Sequence, residues 1–232
     1  MKPLKYGLMA AVPMSIILFG MLISSSTSNM IAFAAYVVSC FFIALSMAML
    51  GEIMEKPQGP RSMIEIADII REGSEGFFMT QYGTIFRLAF VCSMGLFGIY
   101  MFREPIAGSA LNVYFSTTGM AFVTSISFLL GAFCSAISGY AGIWVSVRAN
   151  VRVAAAARNC YNDSLVICFK GGAFAAIINV ALAIFGISSM YLMLSAHFFL
   201  NAPVPDSKTP IEEIPALLVG FGFGASFVAM FA

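Results

Sequence analysis

Apolar residues run in long unbroken blocks along this chain, and the charged residues gather between them. No Asp, Glu, Lys or Arg occurs between Lys5 and Glu52, between Glu104 and Arg148, between Lys170 and Asp206, or after Glu213. A helix needs roughly 20 apolar residues to cross a bilayer, so each block has room for one or two spans. The pattern predicts six: Tyr6–Ser25, Met30–Gly51, Gly83–Phe102, Gly119–Ser146, Gly171–Phe199 and Ile214–Ala232. A membrane barrel would instead need short segments of alternating polarity, and none is present. The fold class is an all-α polytopic membrane protein.

The segments between the spans carry the rest of the local signal. Ser24-Ser-Ser-Thr-Ser-Asn29 is a polar break after the first span. That span, with Lys2 and Lys5 before it, has the layout of a signal peptide, but its length favours a retained span or signal anchor over a cleaved one. Residues 1–29 thus form an extra N-terminal unit and 30–232 the main membrane region. In the second loop, Pro57 and Pro60 bracket a turn, and Ser62 with Glu65 fits a capping box. Ile66, Ile69, Ile70, Phe77 and Phe78 predict the apolar face of an amphipathic helix running into the third span. Arg71, Glu72 and Glu75 mark its polar face, and Gly73 and Gly76 are places where it would break.

Charge then orients the spans. Lys2 and Lys5, then Arg61, Arg71 and Arg87, then Arg148, Arg152, Arg158 and Lys170 fall on one side when six spans alternate. The positive-inside rule makes that side cytosolic. The sequon Asn162-Asp-Ser164 lies on the same side and is expected to go unglycosylated. Gly220–Ala232 has neither flanking charge nor interfacial anchors, so the expectation is that its pattern continues beyond Ala232.

Composition narrows the chemistry. Residues are 60% hydrophobic and 10% charged, against about 25% charged in soluble domains. A net charge of +1 gives no reason to expect nucleic acid. The five cysteines (Cys40, Cys92, Cys134, Cys160, Cys168) form no CxxC pair and read as small apolar packing residues. His197 is the only histidine, which argues against a histidine metal site. Asp68, Asp163 and Asp206 are the only aspartates and lie on separate loops, too few and too scattered for a Mg²⁺-phosphate site. Gly220, Gly222 and Gly224 superficially resemble a phosphate loop, but no strand precedes them, so helix packing explains them better.

Gly131, Ser135 and Gly139 share a helix face, with Ser138 and Gly142 beside it. Gly171, Gly172, Ala175 and Ala176 form a similar set in the fifth span. Such faces let helices approach closely in lipid, and six helices have more of this surface than they need for one another, which implies partners. The densest polar motif is Ile143-Trp-Val-Ser-Val-Arg-Ala-Asn-Val-Arg152. It reads as an interfacial anchor, with anion binding as the alternative.

Ser138-Gly-Tyr-Ala-Gly-Ile-Trp-Val-Ser-Val-Arg-Ala-Asn-Val-Arg-Val-Ala-Ala-Ala-Ala-Arg158 closely resembles a signature of membrane-embedded, ion-pumping inorganic pyrophosphatases. Three further stretches match that family in order: Glu65–Phe78 with Thr80–Thr84, Phe128–Ala132, and Gly220–Ala232. The last, together with the extra N-terminal span, looks most like the potassium-independent, proton-pumping subtype of plants and protists. The resemblance implies a homodimer of subunits of about sixteen helices. It implies hydrolysis of Mg²⁺-bound pyrophosphate on the cytosolic side, coupled to proton transport across a bilayer. In a eukaryote the membrane would be that of a vacuole, Golgi body or acidocalcisome.

In the family, the glycine-laced helix leads into a segment with the pyrophosphate-binding lysine and metal-binding aspartates. None of those residues maps onto this chain. No catalytic, cofactor-binding or metal-ligating residue is therefore assigned, and the chain alone is expected to be inactive. The competing reading is a non-enzymatic membrane assembly or interaction module derived from that family. A small independent transporter would need a buried polar pathway, which the spans do not suggest.

Overall fold

The computed structural model describes residues 27–103, 115–200 and 213–231, with side chains described to residue 198 in the second stretch. These residues form five helices: α1 (Thr27–Met54), α2 (Arg61–Met101), α3 (Thr117–Ala157), α4 (Tyr161–Leu200) and α5 (Ile214–Phe231). Each is long and apolar enough to cross a membrane, and no strand occurs among the described residues. The protein is a multi-pass membrane protein. Five of the six predicted spans fall on these helices; Tyr6–Ser25 lies outside the described residues.

The local chemistry sets most helix starts. Ser116 sits in extended backbone ahead of α3 and accepts a hydrogen bond from the Gly119 amide at 3.2 Å, which satisfies one orphan donor of the first turn. The start of α2 departs from expectation. Ser62 is not its cap; the helix begins after Pro60, whose carbonyl accepts from the Met63 and Ile64 amides, and no side chain caps it. The chain reaches Pro60 through Gly59 at φ +86°, a left-handed conformation that glycine adopts without a Cβ penalty. Gly73 and Gly76 do not break the helix, so the amphipathic stretch and the third span form one element of 41 residues.

α2, α3 and α4 all outlast the hydrocarbon. At 1.5 Å per residue, 41 residues run for about 60 Å, roughly twice the bilayer core. α3 continues past Ser146 to Ala157, because Val147–Ala157 is rich in residues of high helix propensity. α4 likewise begins at Tyr161, ahead of the expected Gly171.

Successive helices alternate in direction, and the contacts record it. Asn29 accepts from Ser195 at one end of the α1–α4 pair, while Glu52 meets Lys170 at the other. Tyr82 lies against Gly139 in the antiparallel α2–α3 pair, and Ser138 against Asn179 in the α3–α4 pair. α3 and α5 run parallel: Gly220 lies on the Thr124 carbonyl, and one turn later Gly224 lies on the Phe128 carbonyl. From the α3 side, Gly131 lies on the Phe221 carbonyl. At all three positions a Cβ would collide with backbone, so only glycine permits this approach. α3 is the hub, packed by α2, α4 and α5 and carrying the longest run of buried residues.

The orientation of α2 about its axis corrects the amphipathic reading. Ala67 and Phe78 are buried against the bundle, and Phe78 packs on Tyr140 of α3 at 5.0 Å. Ile66, Ile69, Ile70 and Phe77 face outward, Ile69 being 70% exposed.

Candidate functional site

The basic segments converge at one end of the bundle, where α1 finishes and α4 begins. Arg152 is the centre of this junction and is only 5% exposed, yet no carboxylate among the described residues pairs with it. Its Nε donates to the Lys56 carbonyl at 3.1 Å, and its Nη2 to the Met54 carbonyl at 3.3 Å. Nη1 donates to the Arg148 carbonyl at 2.6 Å. The carbonyls at the end of α1 and in the turn just beyond it have no partner within the helix, and the helix end carries partial negative charge, so a guanidinium suits them. The planar fork reaches two carbonyls of another chain segment at once, which a lysine ammonium cannot copy.

Arg148, one turn earlier, faces α2. Its guanidinium lies 3.8 Å over the Trp144 ring, donates to the Trp144 carbonyl at 3.2 Å and sits 3.6 Å from Glu75. Arg71 pairs with Asp68 along α2 at 2.9 Å. Ser164 donates to the Val153 carbonyl at 3.1 Å, holding α4 to α3, and Lys170 pairs with Glu52, holding α4 to α1. Four helices are thus pinned at one level. The two arginines expected on one helix face are both present, but they serve different neighbours.

The other sequence-derived candidates are dispersed. His197 stacks on Phe115 at 5.2 Å near the opposite end of α4. Cys40, Cys92 and Cys134 are half-buried, as expected of packing residues, whereas Cys160 and Cys168 are exposed. Arg87 is exposed on α2 within the predicted third span, away from the second loop with which its charge was grouped. Asp68 and Asp163 lie on different helices, and Asp206 lies outside the described residues. Among the described residues no three His, Cys, Asp or Glu side chains converge.

A polar cleft between α3, α4 and α5 did not stand out in the sequence. It has a volume of about 220 Å³ and is lined by Ser135, Ser138, Asn179 and Ser226 among small apolar residues. The sequence suggested no buried polar pathway through the spans, and this cleft is a pocket between three of them. Its signal was Asn179, in the charge-free run after Lys170.

Alternating long apolar helices, backbone contact through glycine and a charged junction at one end define a polytopic membrane protein. The sequence model of the inorganic H⁺ pyrophosphatase family matches residues 38–232. The chain belongs to that family. It is 42% identical over 206 residues to pyrophosphate-energized membrane proton pump 3 of Arabidopsis thaliana, covering 89% of this chain and 25% of the relative. It is 38% identical over 181 residues to the K(+)-insensitive pyrophosphate-energized proton pump of Caldanaerobacter subterraneus subsp. tengcongensis, covering 78% and 24%. With K(+)-insensitive pump 2 of Moorella thermoacetica it shares 35% over 190 residues, covering 82% and 24%. The chain thus spans about a quarter of the length of these relatives. No solved structure matches it.

Proposed function

We propose that this chain forms one membrane section of a pyrophosphate-energised proton pump. The complete machine couples hydrolysis of Mg²⁺-bound pyrophosphate on the cytosolic side to proton movement across the membrane. The observation that supports this reading is the direction of α5. Gln81, halfway along α2, donates to the Phe231 carbonyl at 2.9 Å, and α5 runs parallel to α3, so the glycine-laced helix heads toward the basic end of the bundle. The positive-inside rule makes that end cytosolic. It is also the side on which the resemblance puts pyrophosphate chemistry. In this reading the section supplies a fixed cytosolic junction and a tight α3–α5 seam. The lysine and aspartates that hold pyrophosphate and Mg²⁺ come from other parts of the pump. The names of the relatives support proton transport and, in two of the three, insensitivity to potassium. Assembly as a homodimer and residence in an endomembrane belong to the same proposal.

The test compares the purified 232-residue chain with the longest product of its gene, each reconstituted in vesicles. Expected is Mg²⁺-pyrophosphate-dependent acidification by the longer product, unaffected by replacing K⁺, and none by the 232-residue chain. Hydrolysis by the short chain would overturn the division of labour. A gene encoding nothing longer would replace the pump with the interaction-module reading.

A further inference from the structure

Three guanidinium groups gather where α2 runs beside the cytosolic part of α3. Arg71 occupies a seam position of α2, one turn from buried Ala67 and two from buried Phe78. It is close enough to Arg148 and Arg152 to repel both. Like charges partly withdrawn from water are unfavourable unless anions balance them. Among the described residues two carboxylates do so, Asp68 at 2.9 Å from Arg71 and Glu75 at 3.6 Å from Arg148. Arg152 spends its donors on carbonyls, which accept hydrogen bonds but carry no formal charge. Three cations thus face two anions, and one positive charge is left over.

Arg71 is also short of acceptors. Its Nη1 donates to Asp68, while its Nε is shielded from water and has no acceptor among the described residues. The undescribed parts of the sequence do not supply the missing charge at this end. Residues 1–26 contain Lys2 and Lys5 but no Asp or Glu. Glu104, Asp206 and Glu212 belong to the α2–α3 and α4–α5 connections, at the opposite end of the bundle.

Depth selects the anion. The Arg148 guanidinium lies over the Trp144 ring, and half-exposed Tyr140 is one turn nearer the membrane centre. Ala149 lies against Gly171, next to the Lys170–Glu52 pair. Aromatic rings beneath basic groups at the cytosolic end of a span mark the headgroup layer. Phosphate is the anion concentrated there, and basic pockets between helices on the cytoplasmic side suit lipid head groups. A guanidinium fork matches phosphate oxygens with parallel hydrogen bonds. The Arg71 and Arg148 side chains are 27% and 17% exposed, which leaves them reachable from the surface yet sheltered from full hydration.

We propose that Arg71 and Arg148 form a phosphate-binding site between α2 and α3 at the cytosolic surface, with Arg152 as a fixed charge nearby. The ligand is a phosphate group of net negative charge, on an anionic phospholipid or free in solution. The proposal does not rest on the pump reading.

The test uses the protein as its own cell makes it, in nanodiscs without pyrophosphate. Phenylglyoxal, a neutral arginine reagent, modifies accessible guanidinium groups, and mass spectrometry reads each position. The nanodiscs hold phosphatidylcholine alone, phosphatidylcholine with phosphatidylglycerol, or phosphatidylcholine with inorganic phosphate in the buffer. At about 0.5 M salt general surface attraction is screened. Expected there is modification of Arg71 and Arg148 slowed about tenfold by at least one addition, the scale of a hydrogen bond to a charged group. Protection by phosphatidylglycerol identifies a lipid site, and protection by inorganic phosphate a soluble ligand. Arg61, whose side chain is 93% exposed, is the control and keeps one rate throughout. Arg71→Gln abolishes the protection of Arg148, whereas Arg61→Gln leaves it. The native protein alone decides the main result, so misfolding of a variant does not rescue the proposal. Equal slowing at Arg61, or no slowing by either addition, overturns it. So do Arg71 and Arg148 that are unreactive in every preparation, because a carboxylate from elsewhere in the protein then fills the place.

Discussion

Between Thr124 and Gly131, α3 meets α5 backbone to backbone with no charged group nearby, whereas between Arg148 and Arg152 it is fastened to α1 and α2 by guanidinium groups. The two contacts answer different solvents. In hydrocarbon, burial of apolar surface brings no net gain, so helices hold together through close packing, and glycine permits the closest. At the aqueous end, charges remain partly hydrated and backbone carbonyls at helix ends want donors, so arginine becomes useful. One contact tolerates no added atom. The other tolerates reshaping but not the loss of its donors.

Leucine at Gly224 gives the largest expected effect. Its Cβ would overlap the Phe128 carbonyl and carbonyl carbon, so α5 must move away from α3. Overpacking of this kind costs about 3 kcal/mol or more when the obstacle is backbone. Leucine at Gly222, two residues away and open on that side, is expected to change stability by no more than about 0.5 kcal/mol. Detergent unfolding of the 232-residue chain measures both. Equal losses at the two sites would mean that the seam is not a special contact.

Arg152→Met comes next. It removes three donors and leaves the Met54 and Lys56 carbonyls short of partners in a buried place, while the Arg148 carbonyl keeps its backbone partner within α3. Hydrogen bonds to a charged group contribute about 1.5–3 kcal/mol, and the loss should fall in that range for the set, since hydrated carbonyls recover part of it. Arg152→Lys is expected to restore less than half, because one ammonium does not span the fork. Faster tryptic cleavage after Arg61, which Ser62 follows, would report loosening of the α1–α2 turn. Full rescue by lysine would show that charge alone matters there.

The seam was more legible than the junction. Glycines and serines at helical spacing announce a close-packed face, and Gly131, Gly220 and Gly224 do touch a neighbour, although the spacing did not say which. Arg148 and Arg152 announce a shared helix face. The partners of Arg152 are carbonyls 96 and 98 residues away, and a carbonyl has no sequence signature. Hydropathy located the spans but not their ends, because it reads where lipid stops, while Val147–Ala157 stays helical by propensity in water. The start of α2 was misplaced to Ser62 because a capping-box pattern cannot reveal that Pro60 already supplies the first accepting carbonyl. Asn179 was passed over for a related reason. One polar residue in an apolar run has no periodicity, and its meaning comes from Ser138, 41 residues away.

Ser138→Ala probes the border between the two chemistries, at the floor of the cleft. The Asn179 Oδ1 then loses its donor, and an interhelical hydrogen bond in a membrane averages about 0.6 kcal/mol. A loss well above that, measured in the same unfolding assay, would mean that Ser138 organises the cleft beyond this one bond.

The smallest effect is expected from the pair of Lys170 and Glu52, even though it is the most conspicuous charge contact between helices. Glu52 is more than half exposed and Lys170 about one-third, so water screens both and the side chains lose freedom in meeting. Glu52→Gln should leave the unfolding midpoint nearly unchanged at physiological salt. Any difference from the native chain should widen when salt is lowered, because screening weakens as the Debye length grows. Arg152→Met should show little such salt dependence, since its partners are buried carbonyls and not an exposed carboxylate. If the Glu52 variant instead lost stability on the scale of the Arg152 variant at every salt concentration, the junction would depend on charge pairing. The contrast between the seam and the junction would then be one of glycine against ion pairs, not of glycine against capped helix ends.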